Sequence, residues 1–194
     1  IFTFARWLAR LARRHKSPPT PHKVLIVKLS EMGSTVLAHP ALMELKKRCP
    51  GVELFFLVFK NNAAVISALN LAPPSNIITV DSKSTGCLLT SGLAATRRLL
   101  RERIDTTIDM DSFSRLAALV SFLICRGNRV GHHPYTNEGQ GRGNLLTHRV
   151  IYSPHVHTSA AYMSLIRTLF EKPDDEPYFR GRIDPDDLIP PRYV

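Results

Sequence analysis

From Lys23 onward the chain alternates short, β-branched apolar runs with longer stretches whose apolar residues recur at helical intervals. KVLIVKL (23–29) is a near-continuous apolar run, the pattern of a strand buried on both faces. After the turn SEMGS, Thr35 to Cys49 carries apolar residues at helical spacing and closes on Lys46, Lys47 and Arg48 before Pro50-Gly51, which predicts a helix. VELFFLVF (52–59) predicts a second buried strand, Asn61 is expected to cap a short helix through Leu69, and APPSN turns the chain into NIITV, a third strand ending at Asp81. A longer helix is expected over Leu88 to Arg103. DTTIDMD then predicts a fourth strand whose far end delivers Asp109 and Asp111, Ser112 caps the apolar helix through Cys125, and Asn128 to Gly131 is a short fifth strand. Strands that alternate with helices pair in parallel, because each crossover is long and right-handed. The expected fold class is α/β, a doubly wound parallel sheet.

Outside this alternation the pattern changes. HHPYTNEGQGRGNLLTH (132–148) has no apolar period and reads as a loop, and a loop of that length inside a compact domain is more often functional or disordered than idle. Thr158 to Phe170 is a last helix, and EKPDDEPYFRGRIDPDDLIPP is an acidic, Pro-rich linker ahead of Arg192-Tyr193-Val194. At the other end, IFTFARWLARLARRHK sets Phe4, Trp7, Leu8 and Leu11 at helical spacing, with Arg6, Arg10, Arg13 and Arg14 mostly on the other side. That describes a basic amphipathic helix lying in the interface of an anionic membrane; a helix packed on the domain and a basic arm for nucleic acid are the alternatives. Arginines interrupt every would-be apolar core of a signal peptide. SPPTPH (17–22) is a stiff, extended linker, since its prolines forbid helix. The expected division is 1–22 for the basic helix and linker, 23–171 for the α/β domain and 172–194 for a linker and the start of another domain.

Composition narrows the class. At 194 residues, with 44% hydrophobic and 22% charged residues, the chain has the core of one full-sized domain and is neither collagen-like nor wholly disordered. The apolar run Leu116 to Cys125 is too short to cross a bilayer, which takes about 20 residues. The three cysteines, Cys49, Cys87 and Cys125, lie far apart without C-x-x-C spacing and read as plain thiols in a reducing compartment. Lys and Arg total 26 against 16 Asp and Glu, a net charge of +10, and no acidic residue precedes Glu31.

In open parallel sheets ligands bind at the carboxyl ends of strands where the strand order reverses. For the order 3-2-1-4-5 that point lies between strands one and four, where two loops meet: Ser30-Glu31-Met32-Gly33-Ser34 and Asp111-Ser112-Phe113-Ser114-Arg115. Gly33 lets backbone approach a ligand closely, and Ser34 and Thr35 can cap the helix that follows. One glycine is neither the G-x-G-x-x-G of a dinucleotide site nor a P-loop.

KVLIVKLSEMGSTVLAHPALMELKKRCPGVELFFLV (23–58) resembles the opening of the family 9 glycosyltransferases, the lipopolysaccharide heptosyltransferase group: a strand, K-x-S/G-x-x-G-D, apolar residues, P-A-L, a helix, then P-x-A/V-x-I/L and a second strand. Lys28, Ser30, Met32, Gly33, Pro40, Ala41, Leu42, Pro50 and Gly51 fall in register. TTIDMDSFSRLAALVSFLICRGNRVGHH (106–133) is similar to the family's V-I-D-x-Q/H-x-x-x-R/K-S-A-L-L segment, and THRVIYSPHVHTSAAYMSLI (147–166) to its Y-N-R-x-V and H-x-V-E-R-Y stretch. The resemblance implies the Rossmann-like, acceptor-binding amino-terminal half of a GT-B enzyme. Such an enzyme transfers a sugar such as heptose, with inversion, from a nucleotide-sugar to an anionic surface glycolipid on the inner face of the cytoplasmic membrane. It further implies no cofactor, the nucleotide-sugar being a substrate held by a carboxyl-terminal donor domain that this sequence, read as a fragment at both ends, does not include.

The main departure is Ser34, which stands where the family has the aspartate to which the resemblance assigns the general base. A serine of ordinary pKa cannot take the acceptor proton at neutral pH. Either another carboxylate of the crevice, Asp111 or Glu31, takes it; or a different acceptor uses Ser34 as a hydrogen-bond partner only; or transfer has been lost. The candidate acceptor-binding set is Lys28, Ser30, Met32, Gly33, Ser34, Thr35, Arg115, His133 and Arg142. Arg115 suits an acceptor phosphate or a salt bridge to Asp111, and Lys28 faces the cleft or caps the sheet edge. His132, His133, Arg142, His148 and Arg149 are read as loop residues that could line a groove for the glycolipid. His132-His133 lacks metal-ligand spacing, so no metal is expected, and His39 is expected to be structural. Two other classes are weighed: a nucleic-acid-binding protein, motivated by the charge, and a non-catalytic α/β binding module or inactive family homologue. No nucleic-acid partner is expected, because the basic residues cluster at one terminus and no recognition module is present.

Overall fold

The computed structural model describes residues 20–29, 32–111, 114–133, 145–153 and 155–171, without the side chains of Met32 and Arg115. The expected segments 1–16 and 172–194, and with them Ser30, Glu31, Ser112 and Arg142, lie outside the described residues.

Six strands form one parallel sheet in the order β3-β2-β1-β4-β5-β6: β1 (Lys23–Val27), β2 (Glu53–Phe59), β3 (Ile77–Val80), β4 (Thr106–Asp109), β5 (Asn128–His133) and β6 (His148–Ile151). β1 is central, pairing Val27 with Leu57 on one side and with Asp109 on the other. The helices are α1 (Met32–Leu37), α2 (His39–Arg48), α3 (Ala63–Ala68), α4 (Thr85–Glu102), α5 (Arg115–Ile124) and α6 (Thr158–Leu169). Alternate residues of each strand enter different layers, as the two-residue period of a strand requires. Val24, Ile26, Leu54, Phe56, Ile108 and Val130 pack with Leu42 and Leu45 of α2, Ile66 of α3, and Leu165 and Ile166 of α6. Leu25, Val27, Phe55, Leu57 and Ile78 pack on the other face with Leu99 of α4 and Ala117 and Ile124 of α5. The doubly wound parallel sheet is the architecture the alternation predicts.

Three local expectations are corrected. The helix expected over Thr35 to Cys49 is two helices that break at Ala38, with Pro40 in the first turn of α2; proline has no N–H for the carbonyl four residues back, so a continuous helix would lose that bond and clash with it. Asn61 does not cap α3; Lys60–Asn62 forms a short 3-10 turn, and Asn62 precedes the helix without a side-chain cap. The cap of α5 is Ser114, whose hydroxyl accepts from the Ala117 N–H at 3.1 Å, not Ser112.

The sixth strand is a further correction, because the run from His132 to His148 is not all loop. β5 extends through His133, and β6 pairs with it from Val130↔His148 to His133↔Ile151. Arg129 anchors the returning chain: its Nε donates to the Leu145 carbonyl at 2.6 Å and its Nη1 to the carbonyls of Cys125 and Gly127. Burial pulls its pKa below the ordinary arginine value.

Candidate functional site

The strand order reverses between β1 and β4, so the crevice at their carboxyl ends is where this fold offers a ligand site. The two strands are continued there by side chains. The Lys28 N–H reaches the Leu57 carbonyl at 3.0 Å and the Met110 N–H reaches the Val27 carbonyl at 3.0 Å, which carries both ladders one step past the regular strands. Asp111 then closes the gap. Its Oδ2 accepts the Leu29 N–H at 2.8 Å, and its Oδ1 stands 3.5 Å from Lys28 Nζ. Both side chains are 4% exposed, which makes this a buried ion pair rather than a surface one. Asp109 Oδ1 in turn accepts the Asp111 N–H at 2.9 Å, fixing the backbone from which the second carboxylate projects.

The Leu29 carbonyl is held as well. Asn62 Nδ2 donates to it at 2.9 Å from the carboxyl end of β2, so both backbone polar groups of Leu29 are gripped by side chains of neighbouring elements. Asn62 is the residue that the motif reading missed. Its signal was available: KNN directly follows a buried strand adjacent to β1, and polar residues at a strand's carboxyl end line the crevice of such sheets.

Of the candidates, Lys28, Asp111 and Thr35 are buried, while Ser34 is half-buried and Gly33 exposed. Ser34 and Thr35 fall inside the first turn of α1, whose first residue is Met32, and do not cap it. Gly33 has no positive φ, and a Cβ there would meet nothing within 4 Å, so neither dihedral nor packing among the described residues demands glycine at this position. Asp111 is committed to Lys28 and Leu29. Lys28 faces inward to the crevice carboxylate and does not cap an edge. Arg115 opens α5, next to the crevice in sequence. His39 is half-buried at the first position of α2.

The supposed loop residues separate. His133 is the half-buried last residue of β5, and its carbonyl accepts the Tyr152 N–H at 3.2 Å. His132, His148 and Arg149 are buried in the strands, which corrects the expectation that they line a loop groove. His132 stacks edge-on to Tyr152 with ring centroids 5.7 Å apart, and His148 is held between Thr147 Oγ1 at 2.9 Å and the Glu171 carbonyl at 3.2 Å. Both His148 ring nitrogens thus have partners inside the fold. Among the described residues no group of three His, Cys, Asp or Glu could hold a metal ion, and no helix is long and apolar enough to cross a membrane. Cys49 and Cys125 are buried and Cys87 exposed; burial pushes the Cys125 thiol up to about 12 and raises Cys49 as well.

No protein-family model and no curated protein sequence matches the chain. Solved structures do. An E. coli heptosyltransferase WaaC bound to ADP-2-deoxy-2-fluoro heptose is 21% identical with a TM-score of 0.63, over 80% of this chain and 51% of its own. E. coli ADP-heptose lps heptosyltransferase II is 16% identical with a TM-score of 0.62, over 89% of this chain and 45% of its own. A family 9 glycosyltransferase from Veillonella parvula DSM 2008 is 14% identical with a TM-score of 0.58, over 79% of this chain and 42% of its own. The chain thus spans about half the length of the structures it matches, and what it shares with that half is the fold: a Rossmann-like parallel sheet of the kind found in GT-B glycosyltransferases.

Proposed function

We propose that the chain is the acceptor-binding half of an inverting GT-B glycosyltransferase of family 9, acting on a lipopolysaccharide or related surface glycolipid. The observation that carries this reading is the crevice between β1 and β4. It is the ligand position of the fold, and the sequence there, Lys28 through Gly33, keeps the register of the family's opening motif. The donor is a nucleotide-sugar bound by a second domain, with ADP-heptose the first to try, since structures of the same fold are heptosyltransferases solved with ADP or an ADP-heptose analogue. The enzyme works at the inner face of the cytoplasmic membrane, where residues 1–16 add a basic amphipathic contact.

In this reading Lys28, Asp111 and Asn62 are positioning residues. They fix Leu29, the last described residue before Ser30 and Glu31. With Asp111 engaged by an ammonium and a backbone N–H, Glu31 is the carboxylate that takes the acceptor proton in place of the family's aspartate, and Ser34 hydrogen-bonds the acceptor. Transfer by the complete gene product from ADP-heptose to glycolipid of the source membrane is the test. Expected is product that Glu31→Gln abolishes at unchanged acceptor affinity. Activity unaffected by Glu31→Gln removes that assignment, and the absence of transfer from any nucleotide-sugar, with glycolipid still bound, favours the non-catalytic binding module.

A further inference from the structure

We propose that the outer face of α4 and α5 is a lipid contact, which lies on a bilayer containing anionic headgroups. The two helices cover the same face of the sheet and touch one another. Their inward residues are ordinary core: Ala95 and Leu99 from α4, Ala117 and Ile124 from α5. Their outward residues are not ordinary surface. On α4, Leu89, Leu93 and Leu100 are 68%, 53% and 50% exposed; on α5, Leu116, Leu119 and Leu123 are 49%, 45% and 54% exposed. At roughly 100° per residue Leu89, Leu93, Arg97 and Leu100 share one arc of α4 about 80° wide. Arg98 stands on the opposite flank, bonded to the Ser75 carbonyl beside β3, so the leucine arc turns away from that sheet edge and toward α5. The α5 leucines lie across their helix from buried Ala117, Ser121 and Ile124. Scattered leucines on a surface need no explanation, but two adjoining stripes do.

Charge selects the occupant. Arg97, Arg101, Arg103 and Arg126 are exposed around the stripes, and none has an ion-pair partner among the described residues. Glu102 is the sole acidic residue of the two helices, and Lys23 holds it at 3.6 Å. Leucines that ask for an apolar medium and bare arginines that ask for anions are satisfied together at an anionic bilayer interface, where the apolar stripe enters the acyl boundary and guanidinium groups meet headgroups. Position agrees. Both helices begin at carboxyl ends of strands, α5 only a few residues after Asp111, so the face runs from the rim of the crevice. The lipid contact rests on the proposed function for its purpose, delivery of a lipid-linked acceptor to that rim, but not for its chemistry.

The test uses the whole 194-residue chain and vesicles of equal parts phosphatidylglycerol and phosphatidylcholine. Trp7 is the single tryptophan, so Trp7→Phe combined with Leu123→Trp places one reporter on the face. Its emission is expected to shift to the blue with these vesicles and to stay unchanged with phosphatidylcholine alone. Separately, Leu119→Gln/Leu123→Gln, with its circular dichroism matching the parent, is expected to lower vesicle affinity about tenfold or more in the full chain carrying Trp7→Glu, which weakens the other candidate contact. An unshifted reporter, or a glutamine variant that binds as the parent does, overturns the proposal. So does a concentration-dependent dimer that the same substitutions dissolve, which would make the face an interface between two copies. Because neither readout requires sugar transfer, a blue shift in a protein without transferase activity keeps the lipid contact while the proposed function falls.

Discussion

The two ends of the β1–β4 pair use the same device with different outcomes. At the amino end Asp105 Oδ2 accepts the His22 and Lys23 N–H groups at 3.0 and 2.9 Å; at the carboxyl end Asp111 Oδ2 accepts the Leu29 N–H at 2.8 Å. Each is an aspartate beside β4 that grips backbone beside β1. The lysines separate them. Lys23 reaches outward to Glu53 and Glu102 at 3.5 and 3.6 Å from a partly exposed position, whereas Lys28 turns inward to Asp111 where both are 4% exposed. Exposed pairs of the first kind contribute about 0–1 kcal/mol. A buried pair gains little over apolar residues of the same volume, so what Lys28 and Asp111 add is fixed geometry at the point where a ligand would bind. The same hydrogen bond is a staple at one end and part of the candidate site at the other.

The contrast is broken most severely by Asp111→Ala, which takes a buried carboxylate away from the Lys28 ammonium and the Leu29 N–H. A loss of about 3–5 kcal/mol in urea unfolding is expected. Adding Lys28→Met should restore most of it, and a double variant as unstable as the single one would contradict the pairing. Next in size is an alkaline effect beneath the other end, at Cys125. Its thiol ionises near its ordinary value of 9.0 in the unfolded chain but at about 12 in the folded one. Above pH 9 the unfolded state therefore binds fewer protons, and stability declines with rising pH by up to about 1.4 kcal/mol per unit until pH 12. Urea midpoints measured from pH 8 to 10.5 should fall less steeply in Cys125→Ala than in the parent. Asp105→Ala removes a partly exposed acceptor that water can replace, so a smaller loss of about 1–2 kcal/mol is expected from the same unfolding measurement. A loss equal to that of Asp111→Ala would erase the distinction between the ends. Smallest is Asn62→Ala, about 1 kcal/mol, since one donor to the Leu29 carbonyl is lost. In the transfer assay that tests the proposed function it should raise KM for the acceptor more than it lowers kcat.

Where side-chain chemistry and burial agree, the sequence was easy to read. VLIV (24–27) and LFFLV (54–58) are apolar and buried on both faces, and the position of Asp111 followed from the strand that precedes it. β6 was missed because its buried positions hold His148 and Arg149, which period analysis counts as surface; the His148 nitrogens are answered by Thr147 and by the Glu171 carbonyl, partners more than 20 residues apart in the chain. The break at Ala38 was written in Pro40, yet an apolar period that continues through it outweighed the missing amide. Neighbouring residues such as Lys28 and Gly33 were recognisable as a motif, but the inward turn of Lys28 and the grip of Asn62 on Leu29 depend on contacts that only the folded sheet creates.

The pairing of β1 with β4 also sets an order of events during folding. Lys28 and Asp111 are 83 positions apart, and β2, β3 and α4 all intervene. Contacts of such sequence separation form slowly, because the loop must close before any pairing compensates for it. On a growing chain β1 can meet β2 long before β4 has been made, and the Lys28–Asp111 pair forms only after that. The crevice is therefore assembled late, and the half-built sheet keeps one edge of its central strand open until β4 has emerged.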